Sequence, residues 1–394
     1  MNKPIKKRLG DIVNFKRGYD LPSYNRRDGN YPIISSSGIS GYHSEFKIEG
    51  EGLVTGRYGT LGEMYYVNGK YWPHNTALYV TDFKGNYAKY VYFLMKCLGN
   101  LKTSDKSTVP GVNRNELHEI IVPYINREFQ KPIADCLSAL DSKIELNNRI
   151  NAELEAMAKT LYDYWFVQFD FPDAKGKPYK TSGGKMVWNE ELKRDVPQGW
   201  EVKTIGEYAQ VKKGDLITLK DSKQGFIKVV AAGVEYSYTH SDFNRDENTI
   251  TISGSGANAG FINFWREPIF ASDCITVRGN SDSETLLLLH YLRFIQSHIL
   301  NQATGSAQPH VYPSDIKVLN YVIPSISLIN SFEKLVIPMN TRIANNIKQN
   351  QQLSELRDWL LPMLMNGQIT VKDMEAENLS MAAEPDVAYV SKKK

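Results

Sequence analysis

Apolar positions along the chain follow two rhythms, and each rhythm occurs twice. Ile133, Leu137, Leu140, Ile144, Asn147, Asn151, Leu154, Ala158, Leu161 and Trp165 alternate at spacings of four and three, the seam of a coiled-coil helix. Moving on by 199 gives Phe332, Val336, Met339, Ile343, Asn346, Asn350, Leu353, Arg357, Leu360 and Leu364. The second seam keeps both asparagines and departs only at Arg357. Pro132 is expected at the first helical position. Asn330 with Glu333 three residues later reads as a capping box opening the second helix, and Pro338 predicts a kink or a late start. If the helices pair antiparallel, residues whose numbers add to 497 face each other. Asn147 then meets Asn350, Asn151 meets Asn346, Ile144 meets Leu353, and Leu154 meets Ile343. Leu137 meets Leu360, Leu161 meets Val336, and Trp165 meets Phe332. Leu140 faces Arg357, whose head is expected to reach water. The alternative is that Asn147 and Asn151 face solvent.

The second rhythm is short and strand-like. Tyr31-Pro32-Ile33-Ile34, Gly52-Leu53-Val54-Thr55 and Ala77-Leu78-Tyr79-Val80 are apolar runs of strand length bounded by glycines. They belong to a repeat. Lys16-Arg17-Gly18 recurs as Lys212-Lys213-Gly214, Ile33-Ile34-Ser35 as Val229-Val230-Ala231, and Val54-Thr55-Gly56 as Ile252-Ser253-Gly254. Trp72-Pro73-His74-Asn75-Thr76 aligns with Phe270-Ala271-Ser272-Asp273-Cys274, and Pro110 with Pro309. The offset drifts only from 196 to 199. A period this long means two copies of a domain and its connector rather than a solenoid. Each copy continues with a helix (residues 87–98 and 283–300), a polar loop, a short strand ending in proline, and the long helix. Residues 170–199 read as an irregular linker. A duplicated chain suits a two-fold symmetric partner, of which duplex DNA is one.

Composition narrows the class only a little. Charged residues are 23% of the 394 and the net charge is +3, so any nucleic-acid surface must be local rather than global. Lys6-Lys7-Arg8, Lys16-Arg17, Arg26-Arg27 and Lys212-Lys213 are such local clusters. Cys97, Cys136 and Cys274 form no CxxC pair, which suggests neither a zinc ribbon nor a disulfide framework. The charged N-terminus predicts no secretory leader, and no apolar run is long enough for a bilayer. A phosphate-binding GxxxxGK[ST] loop and an N-P-P-Y or D-P-P-Y string are both missing, and the seven histidines show no metal spacing. Gly254-Ser255-Gly256 with Gly260 reads as a turn between strands, because Phe261-Ile262-Asn263-Phe264 continues as strand. The D-x-K triplets at Asp173 and Asp315 lack a second acidic residue beside them.

Three strings occur in order on this duplicated frame: Phe171-Pro172 through Gly176-Lys177-Pro178-Tyr179-Lys180-Thr181-Ser182-Gly183-Gly184-Lys185-Met186, then Val196-Pro197-Gln198-Gly199-Trp200-Glu201, then Gly305-Ser306-Ala307-Gln308-Pro309-His310-Val311. With them the chain, up to about Thr370, resembles the specificity subunit of type I restriction-modification systems. The resemblance implies an α+β chain: two pseudo-two-fold-related, β-rich target-recognition domains joined by two long antiparallel coiled-coil helices. The expected boundaries are 1–131 and 200–329 for the two domains, 132–169 and 330–368 for the helices, 170–199 for the linker and 369–394 for a flexible tail. The resemblance also implies a double-stranded DNA partner with a bipartite site. Two modification subunits would dock on the helices, with motor-nuclease subunits attached through them. S-adenosylmethionine, ATP and Mg would belong to those partners, and the chain would be a cytoplasmic subunit without catalysis of its own.

Reading bases needs donors and acceptors at base edges, and holding phosphates needs cations or backbone amides. In the first copy Arg57 and Tyr58 stand on a glycine-flanked loop, His74 and Asn75 follow, and Lys106 and Ser107 occupy the polar loop before Pro110. Lys16 and Arg17 suit phosphates. In the second copy Lys212, Lys213, Ser255, Ala257, Asn258, Gln302, Thr304, Ser306, Gln308 and His310 take the matching places. Each has a plainer reading: a solvated tip for Arg57, a histidine satisfied by backbone for His74, a loop-holding amide for Gln308. Two other classes stay open on the residues alone, a symmetric protein adaptor and a nuclease with a degenerate metal site.

Overall fold

The alternating runs of the first copy become strands of one twisted sheet. The structure is a computed structural model and describes residues 4–57, 63–98, 113–303 and 309–371. In chain order the first copy comprises β1 (Ile5–Arg8), α1 (Leu9–Ile12), β2 (Asn14–Arg17), β3 (Tyr31–Ser35), β4 (Gly38–His43), β5 (Ile48–Gly56), β6 (Met64–Pro73), β7 (Ala77–Asp82), α2 (Ala88–Cys97), α3 (Arg114–Glu119) and β8 (Ile121–Tyr124). The sheet order is β2-β7-β5-β6-β3-β4. All pairings are antiparallel except β3 with β6, where Ile33 faces Trp72. β1 and β8 pair separately.

The second copy repeats this plan after α4 (Arg127–Tyr162), with β9 (Met186–Asn189) and β10 (Arg194–Pro197) between the copies. It comprises β11 (Glu201–Thr204), α5 (Ile205–Tyr208), β12 (Gln210–Lys213), β13 (Ile227–Val230), β14 (Tyr238–His240), β15 (Thr249–Ser253), β16 (Ile262–Trp265), β17 (Ile269–Ala271), β18 (Cys274–Arg278), α6 (Asp282–Phe294), α7 (Gln296–Ala303), α8 (Pro313–Lys317) and β19 (Asn320–Ile323). α9 (Ile326–Met365) closes it. The order β12-β18-β15-β16 matches β2-β7-β5-β6, and β13 lies parallel to β17 as β3 does to β6. One difference is local. β6 runs unbroken, whereas its counterpart splits into β16 and β17 at Arg266-Glu267-Pro268. Proline supplies no ladder donor, so the strand bends there.

The chain forms two compact units, Met1–Leu146 with Gln349–Lys394, and Asn147–Lys348. In the first unit, Leu9, Phe15, Leu53, Leu78, Tyr90, Phe93 and Leu137 share a buried core with Leu360, Leu364 and Met365. In the second, Ile250, Ile252, Leu287 and Leu288 share one with Tyr162, Trp165, Phe166, Phe332 and Val336. Each large side chain buried this way contributes about 1.5–3 kcal/mol.

The long helices depart from the sequence reading at their ends. α4 begins at Arg127, so Pro132 lies inside the helix rather than at its first position. The reason is Gln130, fully buried, which donates to Asn86 Oδ1 (2.9 Å) and Ile125 O (3.0 Å) and accepts from Tyr87 N (2.9 Å). That anchorage folds the helix upstream of the proline. α9 begins at Ile326, which places Asn330 and Glu333 inside it and removes the capping box; the carbonyl of Ser325 instead takes the first amides, from Leu328 and Ile329. α9 also continues through Pro338 without interruption. Residues 170–199 are not an irregular linker. β9 and β10 pair as a hairpin, and Phe171 stacks on Tyr179 and Trp200 with centroids 4.6 and 5.3 Å apart.

Along the seam, Leu137, Asn147, Ile343, Asn346 and Leu360 are buried. Ile144, Asn151, Leu154, Leu161, Asn350 and Leu353 are half-buried. Trp165 and Phe332 pack with centroids 6.0 Å apart. Arg357 does not send its head to water: it donates to Asp141 Oδ1 (2.8 Å), and its side chain is 24% exposed. A carboxylate one residue beyond Leu140 captures the guanidinium.

Candidate nucleic-acid interface

Both copies build their loops on the same buried frame. His43 Nδ1 accepts from Arg27 N (3.0 Å), and His240 Nδ1 accepts from Lys223 N (3.0 Å). Each imidazole meets an aromatic ring edge-on, Trp72 at 5.3 Å and Phe270 at 5.2 Å. Gly18 and Gly214 pass so close to the neighbouring chain that a Cβ would lie 2.1 Å from His74 O and 2.0 Å from Ser272 O. Only glycine permits that approach. It brings the residues after β2 and β12 against the segments that follow β6 and β17.

The groups on this frame differ between the copies. In the first, Arg17 Nε donates to Asn75 O (3.3 Å), Asn75 Nδ2 donates to Asp20 Oδ1, and Arg17 approaches the same carboxylate at 3.9 Å. Arg57 N donates to Thr76 O (3.0 Å), and Thr76 Oγ1 lies 3.0 Å from His74 Nδ1. Arg17, Arg57, His74 and Asn75 therefore meet at one edge. Burial, then the nearby Arg26, hold the His74 pKa below its ordinary value, which favours a neutral ring. Exposed Lys16 has its ammonium 5.7 Å from the Tyr19 ring, and Lys47 stands over Trp72 at 4.6 Å. Lys47 and Tyr19 escaped the sequence reading: Lys47 stands in no basic cluster, and Tyr19, although next to Gly18, carries no charge.

In the second copy, Ser255 Oγ donates to Asp273 Oδ2 (2.8 Å). Gly256 N donates to Pro309 O (3.1 Å) and Val311 N to Gly254 O (3.0 Å), tying the glycine loop to His310, whose ring stacks on exposed Tyr312. Asn258 is exposed in the 3₁₀ turn Gly256–Asn258. Lys212 and Lys213 are exposed on β12, and Arg245 spans their end through Lys213 O (2.9 Å) and Thr276 Oγ1 (3.1 Å). Asn244 donates to Asp215 Oδ2 (2.9 Å). Arg245 and Asn244 carried no sequence signal; Asp273 did, because it aligns with Asn75. Gln302 lies in α7. Tyr58, Lys106, Ser107, Thr304, Ser306 and Gln308 lie outside the described residues.

Among the described residues, no group of three or more His, Cys, Asp or Glu is placed to hold a metal ion. No helix among them is long and apolar enough to cross a membrane.

Comparison with known proteins gives a consistent result. The family described as the type I restriction modification DNA specificity domain matches residues 3–156 and 197–330, once per copy. The chain is 29% identical over 316 residues to the type I restriction enzyme MjaIX specificity subunit of Methanocaldococcus jannaschii, covering 74% of this chain and 71% of that one. It is 23% identical over 338 residues to the HindI specificity subunit of Haemophilus influenzae, covering 68% and 72%. Its fold is similar to the crystal structure of the type I restriction-modification system S subunit from M. genitalium. That match has a TM-score of 0.62, 18% identity, and coverage of 92% of this chain and 96% of the other.

Proposed function

Because the chain belongs to the family of type I restriction-modification specificity subunits, we propose that its two domains each read one half of a bipartite site in duplex DNA. The observation that carries this reading is the shared buried frame bearing different polar groups. His43 and His240, and Gly18 with Gly214, do the same structural work in both copies. The edge they support presents Arg17, Arg57, His74 and Asn75 in one copy, and Ser255, Asn258, His310 and the two lysines in the other. Different donor and acceptor sets select different bases, while a shared frame holds both at comparable depth.

The long helices dock two modification subunits, through which motor-nuclease subunits join. Met157 on α4 and Leu356 on α9 occupy equivalent places in the repeat and are 53% and 43% exposed. Leu335, Ile347 and Trp359 are exposed on α9 as well. Apolar side chains kept at the surface of two helices favour a protein partner there. S-adenosylmethionine, ATP and Mg belong to those partners, and the assembly works in the cytoplasm on chromosomal and incoming DNA.

Single-molecule sequencing of methylated adenines, with this gene present and deleted, tests the reading. A bipartite motif should appear and vanish with the gene. Replacing residues 200–329 by the corresponding domain of a relative should change one half of that motif only. If both halves change together, the two-reader model fails.

A further inference from the structure

The bend between β16 and β17 carries Arg266 to both long helices. Its Nη2 donates to Glu155 Oε1 on α4 (2.9 Å), and its Nε donates to Asn340 Oδ1 on α9 (2.7 Å). Asn340 Nδ2 passes the contact to Asn248 Oδ1 (3.1 Å), and Asn248 Nδ2 to Asp282 Oδ2 (2.9 Å) at the start of α6. The Arg266 side chain is 11% exposed. Burial lowers its pKa while Glu155 raises it, and an arginine stays charged throughout. A buried, charged fork with directed bonds to two helices fixes a geometry more tightly than apolar contact does.

The first copy has no such bridge among the described residues. The positions equivalent to Arg266, Glu155 and Asn340 are Asn68, Ser354 and Asp141. β6 continues unbroken through Asn68, and Asp141 takes Arg357, which comes from α9 rather than from the domain. The matching place is a cleft of about 570 Å³, between Tyr65, Tyr66 and Lys89 on one side and Ser138, Ser142 and Glu145 on the other.

We propose that Arg266 is a positioning residue that locks the second recognition domain onto the helices and thereby sets the gap tolerated between the two half-sites. This rests on the DNA-reading function proposed above. Inserting one base pair into the gap moves one half-site by about 3.4 Å and turns it by about 35°. A guanidinium held by a carboxylate and an amide does not follow that movement without breaking a bond. The first domain is tied to α4 elsewhere, through Gln130 near the start of that helix, and has no lock of this kind at the matching position.

The test uses the complex reconstituted with its modification subunits. Binding is measured by fluorescence anisotropy on duplexes carrying the native gap and gaps one base pair longer or shorter. The wild-type complex should prefer its native gap by about tenfold or more, a penalty in the range of one mismatched base pair. R266M keeps the packing stem and removes the fork. It should narrow the preference to within about threefold, with little loss on the native gap. E155Q should narrow it in the same direction, and decides the matter if R266M does not fold. An unchanged preference in the folded variants, or an equal loss at every gap, overturns the proposal. Wild-type protein without sequence-specific binding would overturn the DNA-reading function itself. Wild-type protein that binds its motif equally at all gaps would overturn only the role of Arg266.

Discussion

Asn346 donates its side-chain amide to Oδ1 of Asn151 at 2.8 Å, joining α9 to α4 inside the second unit. Their residue numbers add to 497, as do those of Trp165 and Phe332, whose rings pack 6.0 Å apart just past the end of α4. The Asn151–Asn346 bond, with Phe332 near the start of α9 packed among Tyr162, Trp165 and Phe166 at the far end of α4, means that the two helices run antiparallel. The amides bond each other, so neither carries the full cost of burial, and a shift of register would part them.

Asn346→Ala should therefore destabilise the chain by about 1–3 kcal/mol, because it strips the donor from a partly buried Asn151. Replacing both asparagines by leucine should restore most of that loss, since a matched apolar pair leaves no polar atom unsatisfied. Urea unfolding of the two single variants and the double variant gives the coupling energy. A coupling near zero would show that the two amides act independently.

Gly18→Ala and Gly214→Ala should each damage one half of the frame. The added methyl lies about 2 Å from a backbone carbonyl oxygen, and backbone has little room to retreat. The expected cost is about 1–3 kcal/mol, the range for overpacking a tight site. Methylation assays on substrates that alter one half-site at a time should show the first variant failing on one half and the second on the other. Wild-type stability in either variant would mean that the close approach relaxes freely.

Arg57→Ala should weaken binding to duplexes with the correct first half-site by about 1–3 kcal/mol if the side chain bonds a guanine edge. Recognition of the second half-site should be untouched. A phosphate contact would instead weaken all sequences alike and flatten the dependence on salt. Titrations at low and high salt separate the two, and no effect at either salt would mean that Arg57 does not contact DNA.

His290 gives the second unit a defined response to acid. It is buried, with its ring against Tyr162 (5.3 Å) and Phe332 (6.4 Å), and burial pushes its pKa down to about 3. An unfolded chain protonates this ring near pH 6.5 while the folded chain does not. The stability it contributes is therefore complete above pH 6.5 and falls away as the pH drops from 6.5 toward 3. The slope approaches about 1.4 kcal/mol per pH unit, one proton taken up on unfolding. His290→Leu should remove that part of the slope between pH 6 and 4 while leaving the carboxylate contributions in place. Identical slopes for both proteins would rule the histidine out.

The sequence made the duplication and the meeting of Asn151 with Asn346 legible because both depend on spacing alone, and spacing survives folding. It did not reveal where the helices begin. Pro132 looks like a start because local chemistry favours it there, yet Gln130 is held by Asn86 and Tyr87, far away in the chain, as well as by nearby Ile125. The β9–β10 hairpin was hidden for a similar reason: its strands are short and flanked by glycines, and Phe171 and Trp200 give it a base only after the chain has folded back. Among the candidate base-reading residues, the glycine-flanked ones were visible, since glycine marks loops. Arg245 and Asn244 were not, nor was Arg266 as a positioning residue, because their roles come from partners that no local pattern announces.

The division of the chain into Met1–Leu146 with Gln349–Lys394, and Asn147–Lys348, has a consequence for synthesis. The second unit is one continuous stretch. The first needs Leu360, Leu364 and Met365 to finish the core that holds Leu9, Phe15 and Leu137. On the ribosome, the amino-terminal domain thus emerges first and waits for more than 200 residues before its last core side chains arrive. Domains of most proteins fold in the order of their appearance; here the later one completes first. A nascent chain stalled near residue 348 would carry a finished second unit and an unfinished first, exposing the apolar face of α2 and α4 to whatever chaperone meets it.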